Sequence, residues 1–172
     1  MTGEQAVFLM HSTLAGYETE MPATAKVIAA IPEDKSGYKP DPKAKTAKEL
    51  AWHIVAAEEW FLQSVLTNKF EMHGDGAEKL PDGVKTIADI GAYAAKTLPP
   101  LVAQVKKLSG IHLLENVNFF GMFNNPSATY LVFMVNHSIH HRGQLSTYLR
   151  PMGSKVPSIY GGSADEPFQG GQ

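Results

Sequence analysis

The sequence predicts an all-α protein that folds as a four-helix bundle with a loop-like C-terminal tail, in a single domain over residues 1–172. Four segments carry apolar residues at alternating spacings of three and four, which is typical of amphipathic helices. No strand pattern competes with them. A chain of 172 residues, 44% of them hydrophobic, can bury one core but is short for two. Four helices of this length pack most simply as a bundle.

The composition excludes several function classes. Fifteen Lys and Arg against 17 Asp and Glu give a net charge of −2, whereas nucleic-acid binding needs a basic face. No apolar run reaches the ~18 residues that cross a bilayer, and Glu4 and His11 interrupt the first apolar stretch, so no signal peptide is expected. The absence of Cys leaves only His and carboxylates as metal ligands. We expect a cytoplasmic protein that binds neither nucleic acid nor membranes.

The first two predicted helices lie on either side of a proline-rich loop. The first helix carries its apolar stripe over residues 7–28, and Pro22 predicts a kink or an early end because proline removes a backbone donor. Three prolines and a glycine in residues 31–45 predict a loop. The second helix begins at Thr46, which forms a T-x-x-E capping box with Glu49.

The third predicted helix follows a second loop over residues 68–83. Its start is marked by Thr86, its apolar stripe runs to Leu108, and Gly110 is the predicted stop. The pair Pro99–Pro100 lies in the middle of this helix. It predicts either a kink or a division into two helices, and the sequence alone does not decide between them.

The fourth predicted helix begins after a partly apolar connection. Asn125 is the expected N-cap, and Pro126 is expected at the first helical position. The helix runs to about Arg150, and the glycine-rich residues 152–172 are predicted to form a loop or a frayed end. In the connection, residues 119–123 fit an interface, a pocket wall or the core.

Three histidines stand out within the predicted bundle. His137 and His141 are four residues apart in the segment NHSIHHRGQLSTYLR, so their imidazoles lie one turn apart and can share a metal ion. His53 lies on an otherwise apolar face of the second helix. A buried ring without a partner costs ~1–3 kcal/mol, so three inward histidines on two helices suggest a common ligand. We predict a divalent-metal site at these three residues, and imidazole suits zinc and nickel alike.

Other polar side chains near these histidines receive secondary interpretations. His140 is interpreted as an outer residue or a partner of a ligand, His11 as a reserve ligand, and His73 and His112 as solvated loop residues. Glu58 and Glu59 are interpreted as solvated groups or ligand-orienting carboxylates. Arg142 is expected in a surface salt bridge in preference to a substrate-anion contact, and Gln144 and Tyr148 are substrate-orienting candidates.

Two stretches, KELAWHIVAAEEWFL and NHSIHHRGQLSTYLRPMGSKVPSIYG, resemble the DinB/YfiT-like superfamily of bacterial metal-binding bundles. The likeness covers most of the chain, and H-x-x-x-H-R-G-Q-L-x-x-Y-L-R is its most specific element. The resemblance implies a four-helix bundle in up-down-down-up order and a homodimer. It also maps the family's three ligand histidines onto His53, His137 and His141.

The resemblance implies less about activity than about fold. Similar proteins include metal-dependent transferases and isomerases that use a low-molecular-weight thiol such as bacillithiol, mycothiol or glutathione. Three imidazoles leave a coordination position for water or substrate, as in catalytic zinc sites. We expect an enzyme that activates a thiol cosubstrate, or water, toward a small-molecule substrate. The alternatives are a non-catalytic metal-binding or stress-response protein and a dimeric scaffold without metal.

Overall fold

The computed structural model describes residues 1–72 and 79–168. The described part is mostly helical, which confirms the predicted fold class, and no helix in it is both long and apolar enough to cross a membrane. A 3-10 turn at Glu33–Lys35 lies between the first two helices. The elements are α1 (Gly3–Ala29), α2 (Ala47–Thr67), α3 (Ile87–Val105), α4 (Gly110–Leu114), β1 (Asn116–Phe119), β2 (Phe123–Pro126) and α5 (Ser127–Leu149).

Contacts at the upper end of the bundle, defined as the end that holds Ala30, show which helix termini meet there. The Ser154 hydroxyl, just beyond α5, donates to the carbonyl of Ala30 at 2.6 Å. The N–H of Ile87, the first residue of α3, donates to the Glu33 carboxylate at 2.8 Å. The ends of α1 and α5 therefore lie beside the start of α3.

The lower end, defined as the end that holds Gly3, contains the opposite termini. Gly110 at the start of α4 packs against Gly3 at the start of α1. The ring of His112 in α4 lies 2.7 Å from the carbonyl of Val65, near the end of α2. Because α4 follows α3 and precedes α5, helices α1 and α5 run one way and α2 and α3 the other. This is the up-down-down-up order that the resemblance implied.

Three of the long helices begin with the same device. A threonine at the N-cap accepts the N–H of the residue three positions on, and that residue's side chain accepts the threonine N–H. The pairs are Thr2–Gln5, Thr46–Glu49 and Thr86–Asp89. Hydrogen bonds from backbone N–H groups hold the pKa of Glu49 and Asp89 below the usual range of a carboxyl. The two helix starts predicted at Thr46 and Thr86 are confirmed.

The prolines inside the long helices do not end them. Helix α1 continues through Pro22, and α3 continues through Pro99 and Pro100, so the predicted early end and division are both wrong. All three prolines lie on exposed faces. Water can therefore bind the carbonyls that lose their N–H partners, which lowers the cost of keeping proline within a helix.

The end of the third helix differs from the prediction. Helix α3 ends at Val105, three residues before the predicted Leu108. Gly110, expected to be a stop, is instead the first residue of α4. The Ser109 hydroxyl accepts the N–H of His112 at 3.3 Å and so provides the cap that starts this short helix.

A β-hairpin in the connection to α5 contradicts the prediction that no strand is present. Strands β1 and β2 pair antiparallel around a turn in which Phe120 and Gly121 have positive φ values of 51° and 77°. Asn125 belongs to β2 and is not an N-cap. Pro126 occupies the N-cap position, where its side chain makes no capping hydrogen bond, and α5 begins at Ser127.

Two apolar clusters lie along the bundle with a polar layer between them. The lower cluster includes Met10, Leu14, Phe61, Leu62, Leu131 and Met134, and the upper cluster includes Val27, Leu50, Ile54, Ile90, Leu145 and Leu149. The polar layer consists of the buried side chains of Thr24, Glu58, Ser138 and Arg142, from α1, α2 and α5. Helix α5 packs against both α1 and α2, and it supplies Ser138 and Arg142 to this layer.

The tail is a loop, as predicted, but its described part does not fray. Met152 and Pro157 are buried, and Val156 and Ile159 pack against the upper cluster. The Asp165 carboxylate accepts the N–H of Val156 at 2.9 Å, and this hydrogen bond lowers its pKa. The tail therefore covers the upper end of the bundle.

Gly110→Ala is expected to destabilise the protein, because a Cβ at this position would lie 2.6 Å from the carbonyl oxygen of Gly3. We expect a loss of about 1–3 kcal/mol in urea unfolding, the usual cost of overpacking. Gly16→Ala in α1 is the control, since nothing lies within 4 Å of its Cβ position. It should gain ~0.5–1 kcal/mol from helix propensity. Equal effects of both substitutions would argue against close α1–α4 packing.

Candidate metal centre

His53 of α2 meets His137 and His141 of α5 where these two helices pack together. One nitrogen from each ring lies within 4.8 Å of the other two. The Nε2 atoms of His53 and His141 are 3.2 Å apart, and the ring centroids are separated by 4.4–4.8 Å. All three side chains are half-buried. The structure therefore brings together the three histidines that the sequence indicated, and each keeps some exposure to solvent.

The separation of His53 and His141 suits two ligands of a single metal ion. Two nitrogens at ~2.0–2.1 Å from zinc in a tetrahedral arrangement lie roughly 3.4 Å apart, close to the 3.2 Å between the two Nε2 atoms. Among residues 1–72 and 79–168, no carboxylate or fourth histidine joins the group. A three-histidine site of this kind can hold a metal ion and leave a position for an external ligand.

Gln144 lies next to the cluster, one helical turn after His141. Its Oε1 is 3.0 Å from Nδ1 of His141, and its amide nitrogen donates to the hydroxyl of Tyr148 at 3.4 Å. The ring of Tyr148 is buried and packs edge-on against Tyr38, with centroids 5.8 Å apart. Gln144, a substrate-orienting candidate from the sequence, thus contacts a histidine of the cluster.

Glu58 is buried, so the prediction of a solvated carboxylate is wrong. Only 3% of the residue is exposed. The hydroxyl of Tyr17 donates to its Oε2 at 2.8 Å, and the hydroxyl of Ser138 donates to its Oε1. Burial raises the pKa of Glu58 to about 7, against the lowering effect of these two hydrogen bonds and of Arg142. Glu59 is half-buried and accepts hydrogen bonds from two neighbouring side chains.

Arg142 is also buried, so the preferred interpretation of a surface salt bridge is wrong. Its guanidinium is 2.6 Å from Oε2 of Glu20 and donates to the hydroxyls of Thr24 and Tyr160. The hydroxyl of Tyr160 in turn donates to Glu20 at 2.7 Å. Residues of α1 and the tail therefore bind the guanidinium of this α5 residue, and they link the tail to the polar layer.

The other histidines in the described part of the chain do not join the cluster. His11 is exposed on α1, so it is not the reserve ligand that the sequence offered. His140 is exposed, with its ring centroid 4.8 Å from that of His141. His112 is half-buried in α4 and bound to a backbone carbonyl of α2, which corrects the prediction of a solvated loop residue. His73 lies outside the described residues.

Comparison with known proteins adds family and fold. The DinB family model matches residues 10–169. The chain is 28% identical over 157 residues to the Bacillus subtilis protein YrdA, covering 89% of each protein. It is similar in structure to a DinB-like protein from Bacillus cereus, with a TM-score of 0.71 and 24% identity. The likeness covers 87% of this chain and 97% of that protein. It is also similar to the DinB-like protein YjoA of Bacillus subtilis, with a TM-score of 0.67 and 21% identity, and the likeness covers 86% of this chain and 96% of YjoA.

Proposed function

The chain belongs to the DinB family, and from this we propose that it binds one divalent metal ion, zinc or nickel, and acts as a metal-dependent enzyme on a small molecule. The observation that supports this most strongly is the convergence of His53, His137 and His141, whose ligand nitrogens lie within 4.8 Å of one another. Imidazole nitrogen is a good ligand for both metals.

The proposed chemistry is activation of a nucleophile. A bound divalent ion with an open position supplies Lewis acidity, which lowers the pKa of a thiol or of water. The chain contains no Cys, so a thiol would come from a cosubstrate of low molecular weight. Helices α2 and α5 hold the imidazoles in place, and their half-exposed rings give such a cosubstrate a route to the site. The proposed reaction class is therefore thiol transfer or isomerisation, with hydrolysis as the version that uses water.

Metal content tests the first part of the proposal. Protein purified without a His tag and loaded with zinc or nickel should carry about one ion per chain, the number that a single three-ligand site holds. His53→Ala, His137→Ala and His141→Ala should each lose it in elemental analysis. His140→Ala is the matched control, because this residue is exposed on the same helix. Wild-type protein without metal, or metal content unchanged in all variants, would overturn the proposal.

Thiol binding tests the enzymatic part. With cobalt in place of the native metal, titration with 2-mercaptoethanol should produce a saturable charge-transfer absorption in the near ultraviolet, because a thiolate would enter the open position. The His141→Ala variant should not show it. A cobalt spectrum that thiols and small anions leave unchanged would reject the enzyme in favour of a non-catalytic metal-binding protein.

We also propose that the chain forms a homodimer, as the family resemblance implies. The hairpin exposes three large apolar side chains, Phe120 (41%), Met122 (64%) and Phe123 (45%). Exposed apolar patches of this kind mark interaction surfaces. Light scattering on the purified protein should give the mass of two chains, and the mass of one chain over a range of protein concentrations would contradict the dimer.

A further inference from the structure

We infer that Gln144 is a positioning residue of the histidine cluster, which holds His141 in the tautomer that carries its proton on Nδ1. The Oε1 atom of Gln144 is 3.0 Å from Nδ1 of His141. On the other side of the same ring, Nε2 is 3.2 Å from Nε2 of His53. An amide oxygen accepts hydrogen bonds and cannot donate them, so Nδ1 is the donor. The lone pair on Nε2 is thereby directed toward the centre of the cluster.

The Gln144 amide has a second partner on the side away from His141. Its nitrogen donates to the hydroxyl of Tyr148 at 3.4 Å, and its oxygen lies on the side of His141. Tyr148 is only 2% exposed, and its ring packs edge-on against Tyr38. The amide therefore bridges a buried tyrosine and His141, and its oxygen is the acceptor beside Nδ1.

The tautomer matters because a histidine binds metal through the nitrogen that carries no proton. Without an acceptor beside Nδ1, a neutral imidazole in water prefers its proton on Nε2, the atom of His141 that faces His53. Loss of Gln144 should therefore weaken metal binding although every proposed ligand remains. Removal of such a hydrogen-bonding partner generally costs about 10–100-fold in metal affinity. This consequence for affinity rests on the proposed metal-binding function.

Metal affinity, measured by competition with a chromophoric chelator, tests this role. Gln144→Leu is expected to bind zinc about 10–100-fold more weakly. Gln144→Glu should bind at least as tightly as the wild type, because a carboxylate accepts the same hydrogen. Gln63→Leu is the matched control: the amide of Gln63 donates to Glu59 at 3.0 Å on an exposed part of α2. It should bind zinc like the wild type, and metal-free thermal unfolding should show that all variants fold.

Nitrogen-15 NMR of the metal-free protein, at a pH where the imidazoles are neutral, gives the tautomer directly. His141 should carry its proton on Nδ1 in the wild type and in Gln144→Glu, and shift toward Nε2 in Gln144→Leu. If the wild type binds no metal but shows these tautomers, the proposed function fails and the positioning role stands. If Gln144→Leu keeps the Nδ1 tautomer, or binds zinc as tightly as the wild type, the inference about Gln144 is overturned.

Discussion

Glu20→Ala is expected to lower the free energy of unfolding by about 3–5 kcal/mol, the usual cost of leaving one member of a buried ion pair without its partner. The side chain of Arg142 is 2% exposed and that of Glu20 is 18% exposed, and their charged atoms are 2.6 Å apart. After the substitution, the guanidinium keeps its hydrogen bonds to the hydroxyls of Thr24 and Tyr160 and only a coulombic interaction with Glu58, whose pKa is about 7. Urea unfolding monitored by far-ultraviolet circular dichroism measures the loss.

A neighbouring ion pair provides the control for this prediction. Glu18 pairs with Lys106 at 2.6 Å, but these side chains are 47% and 33% exposed. Solvent screens such pairs, so Glu18→Ala should change stability by less than about 1 kcal/mol. Combining Glu20→Ala with Arg142→Met should recover much of the loss, because the buried guanidinium is then absent. Equal stability of the Glu18→Ala and Glu20→Ala variants would show that burial does not strengthen the Glu20–Arg142 pair.

The features that the sequence predicted correctly are those with a local signal. The capping boxes at Thr46 and Thr86 involve residues three positions apart, so the helix starts are visible without knowledge of the fold. The spacing of His137 and His141 is equally local, since it places both rings on one helix face. Adding His53 required only that its helix face be apolar. These short-range patterns were sufficient to select the three histidines that the structure brings together.

The burial of Glu58 and Arg142 had no local signal. Each becomes buried through partners on another helix, Tyr17 for Glu58 and Glu20 for Arg142, and neither pairing can be seen in the spacing along one element. Charged residues are rarely buried unless they are paired, so the default interpretation was solvation. The polar layer is a product of tertiary packing, and sequence periodicity describes only one helix at a time.

The hairpin did leave a weak signal. Residues 116–119 alternate polar and apolar side chains, and Gly121 follows at the position where a turn needs positive φ. Four residues are too few to distinguish this alternation from chance.

The prolines did not break their helices for a different reason. Their positions face solvent, and the packing of the opposite side of each helix outweighs the missing hydrogen bond.

Glu58→Gln is expected to remove a decline in stability between about pH 4.5 and 7. Burial raises the pKa of this carboxyl from an ordinary 4.5 to about 7 in the folded protein. Within that window the folded state holds a proton that the unfolded state has released, so stability falls as the pH rises. The shift corresponds to about 3 kcal/mol, lost by the time the pH exceeds 7. An amide cannot ionise, so the variant should lack this part of the pH dependence.

Urea unfolding at several pH values, with a chelator present to exclude metal binding, measures this difference. The free energy of unfolding of the wild type, minus that of Glu58→Gln, should fall by about 3 kcal/mol from pH 4.5 to 8. In this difference the contributions of all other groups cancel. Ser138→Ala tests the cause, because it removes a hydrogen bond that lowers the pKa of Glu58. The stability of Ser138→Ala should continue to decline to a higher pH than the stability of the wild type. Parallel curves for wild type and Glu58→Gln would mean that the carboxyl is ionised in the folded protein throughout, and that the polar layer accommodates a buried negative charge at little cost.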